Sequence, residues 1–337
     1  MPETYSSPCP SAKLFDAAVP FNRIDADLIL RSNDSVDFRV HRAILEMSSS
    51  FFAEGLDALD KRNIGMTLPE DGCLPICYFY ADSHTINLVL RHVYPFPTPD
   101  VQDIGNAFDV LQVAREYDFR LVTTAMKKTV LRLAEESPLK VYARASLRRC
   151  EGEMRVAARL SLRYPILDAY TPELEKLSAG TYHRLLSYHR LCGRVAAAVI
   201  DDLRWATILY DAGCDTPSWS SCQLCPKFAL GSVRGSDVEL RATSWFHTLL
   251  LTIKQALRAR PCGSTVYASE LSEPSLGEAM TCLVCRATAL PDWKRFVALL
   301  RDEVNHVISE VSYIPFELPA LSADQSVSSS QVQLEIP

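Results

Sequence analysis

The sequence has no long apolar run and no excess of positive charge, and these two absences exclude several common classes of protein. Its longest candidate apolar stretches, residues 196–200 and 249–251, are far shorter than the ~18 residues that a membrane-spanning helix needs. We therefore expect no membrane partner. The formal net charge of −6 also disfavours nucleic acid as a partner, because contacts to phosphate require a surplus of basic residues.

The N-terminus lacks the cationic segment and apolar core of a secretory signal, so we expect the chain to stay in the cytoplasm, the nucleus or both. In those compartments its eleven cysteines are expected to be thiols or metal ligands rather than a framework of disulfides. Hydrophobic residues make up 48% of the chain and charged residues 23%. This balance is typical of globular proteins and excludes fibrous and wholly disordered classes.

Motifs of catalytic and nucleotide-binding sites are also absent. The sequence contains no G-x-G-x-x-G or G-x-x-x-x-G-K-[ST] phosphate loop, no H-E-x-x-H metal motif and no G-x-S-x-G nucleophile elbow. Asp201 and Asp202 are adjacent, so on a helix their carboxylates diverge by about 100° and cannot act as a pair. We therefore predict no catalytic residues and no enzymatic activity. The alternative is an enzyme whose site lies with the cysteines of the helical half.

Strand patterns are predicted only near the N-terminus. A short apolar run at residues 25–31 and a period-two alternation at Val36–Val40 flank a polar turn, which predicts a β-hairpin. A further strand is predicted at Cys77–Tyr80, and short helices at 41–47 and 48–59. Helical spacing of apolar residues then predicts helices at 85–93, 104–117, 121–135, 139–149, 153–164, 172–203, 241–259, 276–289 and 292–312. The segment 212–234, rich in Gly, Pro and Cys, interrupts them as a loop-rich insert.

These patterns predict an α+β N-terminal domain, made of a small sheet plus helices, followed by a mainly α-helical region. The predicted limits are a flexible lead-in at 1–20, the N-terminal domain at 21–119, a helical region at 120–211, a Cys-containing helical region at 212–317 and a disordered tail at 318–337.

A longer pattern of alternating polar and apolar positions runs through residues 25–59. Its members are Asp27, Leu30, Phe38, Val40, His41, Arg42, Leu45, Ser50, Phe51 and Phe52. This pattern resembles the opening of a BTB/POZ domain, with an Asp on the first strand, a second strand that ends in His-Arg, a short helix and a Ser-x-x-Phe segment. Residues 88–99 and 107–119 resemble the third and fourth helices of that family, and the Tyr-Pro-x-Pro-x-Pro segment is similar to its expanded fungal type.

The resemblance implies a protein that binds other proteins through its N-terminal domain, by self-association as a homodimer or by docking a partner. Within the family, this would make it a substrate adaptor for a cullin-type ubiquitin ligase or a transcription-related scaffold. The chain departs from the family pattern at residues 60–83, where the strand order is left open. A clear hydrophobic-x-acidic signal for a cullin scaffold is also missing there.

Asp27, His41 and Arg42 are the polar residues that the resemblance singles out as candidates for partner binding. In one interpretation, Asp27 and His41 hold a turn and a helix start by hydrogen bonds, as buried polar groups commonly do. In the other, they form the charged floor of a groove in which a partner docks. The sequence leaves both interpretations open.

Two C-x-x-C motifs, Cys222–Cys225 and Cys282–Cys285, carry the strongest chemical signal. Two such pairs can complete a tetrahedral Cys₄ site for one structural zinc ion. However, 56 residues separate the pairs, more than the roughly 15–20 of compact zinc modules. Packed free thiols and a redox motif therefore remain open beside a metal site. If zinc is bound, the helical half could be a zinc-stabilised structural domain.

Overall fold

The alternation near the N-terminus forms a β-hairpin in the computed structural model of this protein. The structure describes residues 15–58, 66–67, 74–203, 205–206, 216–232 and 239–313. The first strands are β1 (Phe15–Asp16), β2 (Leu28–Arg31) and β3 (Val36–Val40), and β2 and β3 are antiparallel with Leu30 opposite Phe38. Leu28, Leu30, Phe38 and Val40 are all buried, because alternate residues of a strand share one face.

The hairpin belongs to a five-stranded mixed sheet. The remaining strands are β4 (Met66–Thr67) and β5 (Ile76–Tyr78), and the order across the sheet is β1-β3-β2-β5-β4. β5 overlaps the strand predicted at Cys77–Tyr80 and runs parallel to β2. β4 in turn pairs antiparallel with β5. These pairings give the strand order for residues 66–67 and 76–78, which the sequence had left open.

Seven α-helices accompany the sheet in the described part of the N-terminal unit. They are α1 (Arg42–Ser48), α2 (Ser50–Ala58), α3 (Ser83–Val93), α4 (Ile104–Glu116), α5 (Arg120–Glu136), α6 (Pro138–Leu147) and α7 (Glu151–Ser161). The side chains of Asp82 and Asp103 cap α3 and α4 by accepting hydrogen bonds from Thr85 N and Asn106 N at 2.9 and 2.8 Å. Such caps satisfy N–H groups that a helix start otherwise leaves free.

An aromatic cluster forms the centre of the N-terminal core. The rings of Phe79 and Tyr117 stack at a centroid distance of 4.0 Å, and Phe52 stacks on Tyr117 at 6.0 Å. Phe52, Phe79 and Tyr117 are all buried. They join α2, the end of β5 and the end of α4, so the sheet and the helices that follow it share one core.

The chain divides into two units, Met1–Leu177 and Ser178–Pro337. The domain limits predicted at 119/120 and 211/212 stay predictions. Within the predicted lead-in, Phe15 and Asp16 form β1, while residues 1–14 and the predicted tail at 318–337 lie outside the described residues. The coarse prediction is confirmed: a small mixed sheet with helices precedes a mainly helical region.

The C-terminal unit is mainly helical and contains one hairpin among its described residues. Its elements are α8 (Ala179–Ala198), α9 (Ser218–Ser221), β6 (Lys227–Ser232), β7 (Glu239–Thr243), α10 (Ser244–Ala259), a 3₁₀ helix (Gly263–Tyr267), α11 (Ser269–Thr281) and α12 (Cys285–Ser309). β6 and β7 pair antiparallel, so the prediction of strands only near the N-terminus is wrong. None of the helices that the structure describes is long and apolar enough to span a membrane.

Two predicted helix limits are also wrong. The helix predicted at 172–203 is divided into a 3₁₀ helix at Pro172–Lys176 and α8. Ser178 causes the division, because its side chain caps α8 by accepting a hydrogen bond from Thr181 N at 3.1 Å. The break predicted near Pro291 lies instead at residues 282–284, between α11 and α12, and Pro291 lies inside α12.

Stacked aromatic rings join α9, α10 and α12 in the core of the C-terminal unit. Trp219 of α9 stacks on Phe246 of α10 at a centroid distance of 4.3 Å. Phe296 of α12 meets Phe246 edge to face at 5.0 Å. Aromatic pairs in these arrangements add to the free energy gained by burial. The cluster therefore fixes the short helix α9 against the two long helices.

Candidate metal centre

Four cysteine sulfur atoms lie together in the C-terminal unit. Those of Cys222, Cys225, Cys282 and Cys285 are all within 4.8 Å of one another. The Cys222 and Cys282 sulfurs are 3.7 Å apart, and those of Cys225 and Cys285 are 3.8 Å apart. A tetrahedron with zinc–sulfur bonds of about 2.3 Å has edges of about 3.8 Å. The structure thus brings the two distant motifs together in a cluster that could hold one metal ion.

The first motif is placed by the end of α9. Cys222 ends this helix, and its N–H donates to the carbonyl of Ser218 at 3.0 Å. The chain then turns so that the N–H of Leu224 donates to the Cys222 sulfur at 3.4 Å. Cys225 leads into β6, and the carbonyl of Pro226 accepts a hydrogen bond from the N–H of Ser244 at 2.8 Å. The start of α10 therefore lies beside this motif.

The second motif occupies the break between α11 and α12. The N–H of Cys282 donates to the carbonyl of Ala279 at 3.2 Å, and the N–H of Arg286 donates to the carbonyl of Cys282 at 3.0 Å. Cys285 is the first residue of α12, a helix of 25 residues. The positive end of the helix dipole favours a thiolate at this position.

Burial differs among the four cysteines. Cys222 and Cys285 are 1% and 0% exposed, whereas Cys225 and Cys282 are half-buried. Leu224, Leu283 and Val284, which lie between the cysteines of each motif, are exposed. The cluster therefore has a buried side against the helices and a side nearer to the surface, formed by the two turns.

The thiols differ in their affinity for protons. Hydrogen bonds from the backbone N–H groups of Cys285 and Val284 lower the pKa of Cys282 to about 6. Burial raises the pKa of Cys225 to about 11 and raises the pKa of Cys285 as well. Four thiolates at this spacing require a cation, which is the role of a metal ion in such a site.

The position of the Trp245 indole also fits a metal ion bound by the cysteines. This side chain is fully buried, and its N–H has no hydrogen-bond partner of ordinary geometry. It faces the sulfur of Cys285, where it opposes the effect of burial on the pKa of that thiol. A thiolate bound to metal would give this N–H a charged acceptor. The donor set and its surroundings therefore fit a tetrahedral ion that prefers thiolates.

A buried carboxylate fixes α9 from the other end. Asp292 of α12 accepts hydrogen bonds at Oδ2 from both the N–H and the hydroxyl of Ser218, each at 2.7 Å. Its other oxygen accepts from Arg295 Nη2 at 2.6 Å. Sequence reasoning missed this residue, because an Asp directly after Pro291 looks like the N-cap of its own helix. In the structure it caps the first turn of α9 instead.

The N-terminal unit holds the candidate partner-binding residues. Asp27 accepts a hydrogen bond from the N–H of Arg42, the first residue of α1, at 2.7 Å. The N–H of His41 donates to the Tyr94 hydroxyl at 2.7 Å, and its ring Nδ1 lies 3.2 Å from the same oxygen. These contacts agree with the interpretation in which Asp27 and His41 hold a helix start by hydrogen bonds. Partner binding by Asp27, His41 and Arg42 stays a prediction.

No family model matches this chain, and no curated protein sequence is significantly similar to it. The resemblance to BTB/POZ domains therefore depends on sequence motifs alone and stays a prediction. The cysteine cluster is independent of it, since it follows from the positions of the sulfur atoms in the C-terminal unit.

Proposed function

We propose that this chain is a non-enzymatic protein-interaction protein of the cytoplasm or nucleus, whose C-terminal unit is stabilised by one structural zinc ion. The single observation that carries the metal site is the cluster of four sulfur atoms within 4.8 Å of one another. Zinc is the ion that a tetrahedral set of four thiolates favours. Because four protein ligands leave no open position for a substrate or water, such a site is structural rather than catalytic.

The geometry favours zinc over the two other interpretations of the cysteines. The contacts of 3.7 and 3.8 Å each join a sulfur of one motif to a sulfur of the other, as a shared ion requires. A redox motif depends on the pair within one C-x-x-C and does not need the second pair. Packed thiols would leave the buried N–H of Trp245 without the strong acceptor that a thiolate provides.

The metal content of the full-length chain tests this proposal. We expect one zinc ion per chain after purification in zinc-containing, metal-buffered medium, as measured by inductively coupled plasma mass spectrometry. We also expect four thiols to become reactive towards a thiol reagent only after a chelator removes the ion, because metal-bound thiolates are protected. A purified, folded chain that contains no zinc, and whose thiol reactivity a chelator leaves unchanged, would instead support packed cysteines.

For the N-terminal unit, we propose a BTB/POZ domain that self-associates or docks a protein partner, with a cullin scaffold among the candidate partners. The succession of β2, β3, α1 and α2, with His41 and Arg42 at the junction, supports this proposal. Two apolar side chains of this region, Ile24 before β2 and Met47 in α1, are 95% and 88% exposed. Apolar groups with such exposure favour contact with another protein surface.

Self-association is testable on the full-length chain by sedimentation across a range of concentrations. We expect a dimer whose dissociation constant rises about tenfold or more when Ile24 and Met47 are both replaced by glutamate, because each change removes apolar area and adds charge. Leu121→Glu is the matched control, since Leu121 is 78% exposed on α5 and is expected to leave the dimer unchanged. A wild-type chain that stays monomeric at high micromolar concentration would contradict self-association.

A further inference from the structure

Three of the four sulfur atoms in the cysteine cluster have an N–H group beside them. Cys222 receives the N–H of Leu224 at 3.4 Å, and Cys282 receives those of Val284 and Cys285. Cys285 is fully buried, so water cannot supply a donor to its sulfur. The side chain of Trp245 faces this sulfur, in addition to the sulfur of Cys225 at 3.8 Å.

The position of Trp245 is fixed by its own element. It is the second residue of α10. The residue before it, Ser244, donates its N–H to the carbonyl of Pro226 at 2.8 Å, and Pro226 directly follows Cys225. The hydroxyl of Ser244 also donates to Glu278 of α11 at 2.7 Å. The start of α10 is thus held by both segments that carry the cysteines. This anchoring keeps the indole beside the cluster.

We infer that Trp245 is a positioning residue of the metal site, whose indole N–H donates a hydrogen bond to the metal-bound thiolate of Cys285. The inference rests on the proposed zinc site and goes beyond its four ligands. Four thiolates and one Zn²⁺ leave a net negative charge in a buried setting, and each N–H···S bond offsets part of that charge. The indole N–H is buried and makes no hydrogen bond of ordinary geometry among the described residues, so a thiolate at Cys285 gives it a stronger acceptor than a neutral thiol would.

The substitution Trp245→Phe isolates this hydrogen bond. Phenylalanine keeps an aromatic ring for the edge-to-face contact with Phe246, whose centroid lies 5.6 Å away, but it has no N–H. Loss of such an outer hydrogen bond typically weakens metal binding by about 10- to 100-fold. Trp293→Phe is the matched control, because it makes the same change at a buried position of α12 outside the two cysteine motifs.

The test uses the full-length chain with Co²⁺ as the probe, and measures affinity by competition with a chelator and the sulfur-to-cobalt charge-transfer band by absorption. We expect Trp245→Phe to bind one Co²⁺ about tenfold more weakly or worse. Its charge-transfer band should move to longer wavelength, because a thiolate without the hydrogen bond gives up electron density more easily. Trp293→Phe should match the wild type in both measurements.

The outcomes separate this inference from the proposed function. A wild-type chain that binds Co²⁺ with thiolate bands, together with a Trp245→Phe variant of equal affinity and equal spectrum, overturns the role of Trp245 and leaves the metal site intact. A wild-type chain that binds no metal overturns both.

If Trp245→Phe does not fold, the wild-type chain loaded with ¹¹³Cd and labelled with ¹⁵N tests the hydrogen bond directly by NMR. The Trp245 indole proton should then show coupling to cadmium through the sulfur, and the absence of that coupling overturns the inference.

Discussion

Replacing Cys285 by serine is expected to abolish stoichiometric zinc binding and to unfold the C-terminal unit or destabilise it by several kcal/mol. A structural Cys₄ site contributes roughly 10–16 kcal/mol of apparent binding free energy, as much as the whole stability of many domains. Serine keeps the size of the side chain but is a poor ligand for zinc. Metal content and thermal unfolding of the full-length variant, each with and without added zinc, measure the effect.

Cys262→Ser is the matched control for this experiment. Cys262 lies in the same unit, is half-buried and has its sulfur 3.2 Å from the hydroxyl of Ser264, outside the cluster. It should retain one zinc ion and unfold at the temperature of the wild type. Treating the wild type with a chelator should reproduce the state of Cys285→Ser. If Cys285→Ser instead retains the metal and the stability of the wild type, the four thiols are only packed side chains.

The large effect is expected because the segment that carries the first motif has little stability of its own. It comprises α9, a helix of four residues, and the two-stranded sheet β6–β7. Short helices and isolated hairpins are marginal in water. The segment depends on the stack of Trp219 with Phe246, on the bond from Ser218 to Asp292 and on the cysteine cluster. An ion shared with α11 and α12 would join it to helices that are stable by their packing.

Local patterns were sufficient to predict the N-terminal hairpin. Leu28, Leu30, Phe38 and Val40 alternate with polar residues, and a strand with one buried face requires such alternation. The helices that follow were also predictable from their spacing, though their ends were not. Ser178 looked like one residue of a long helical pattern, whereas its side chain starts α8. Caps are decided by local hydrogen bonds that apolar spacing does not report.

The cysteine cluster was predictable in its members but not in its geometry. The C-x-x-C spacing marks Cys222, Cys225, Cys282 and Cys285, yet the distance between the two motifs depends on how α9 and β6 pack against α11 and α12. The hairpin β6–β7 was missed, because Gly231 and the nearby Pro and Cys residues resemble a loop. Trp245 carries no sequence signal, since an aromatic residue at the start of an apolar helix looks like an ordinary core residue.

Replacing Asp292 by alanine is expected to lower the free energy of unfolding of the C-terminal unit by about 2–4 kcal/mol. The change leaves the buried N–H and hydroxyl of Ser218 without the carboxylate that they contact at 2.7 Å. Because Asp292 and Cys222 hold opposite ends of α9, the variant should also release zinc at a lower chelator concentration. Chemical denaturation of the zinc-loaded chain and chelator titration measure the two effects.

Two milder substitutions separate the hydrogen bond and the ion pair through which the Asp292 carboxylate stabilises the C-terminal unit. Ser218→Ala removes the hydroxyl bond and keeps the backbone bond, so we expect a loss of about 1 kcal/mol. Arg295→Gln removes the ion pair at 2.6 Å with an arginine whose side chain is 52% exposed, and solvent screening should limit its effect to below about 1 kcal/mol. An Arg295→Gln variant as unstable as Asp292→Ala would show that the carboxylate acts through the ion pair. In that case the bond between α12 and the start of α9 would not be what stabilises the segment beside the cysteine cluster.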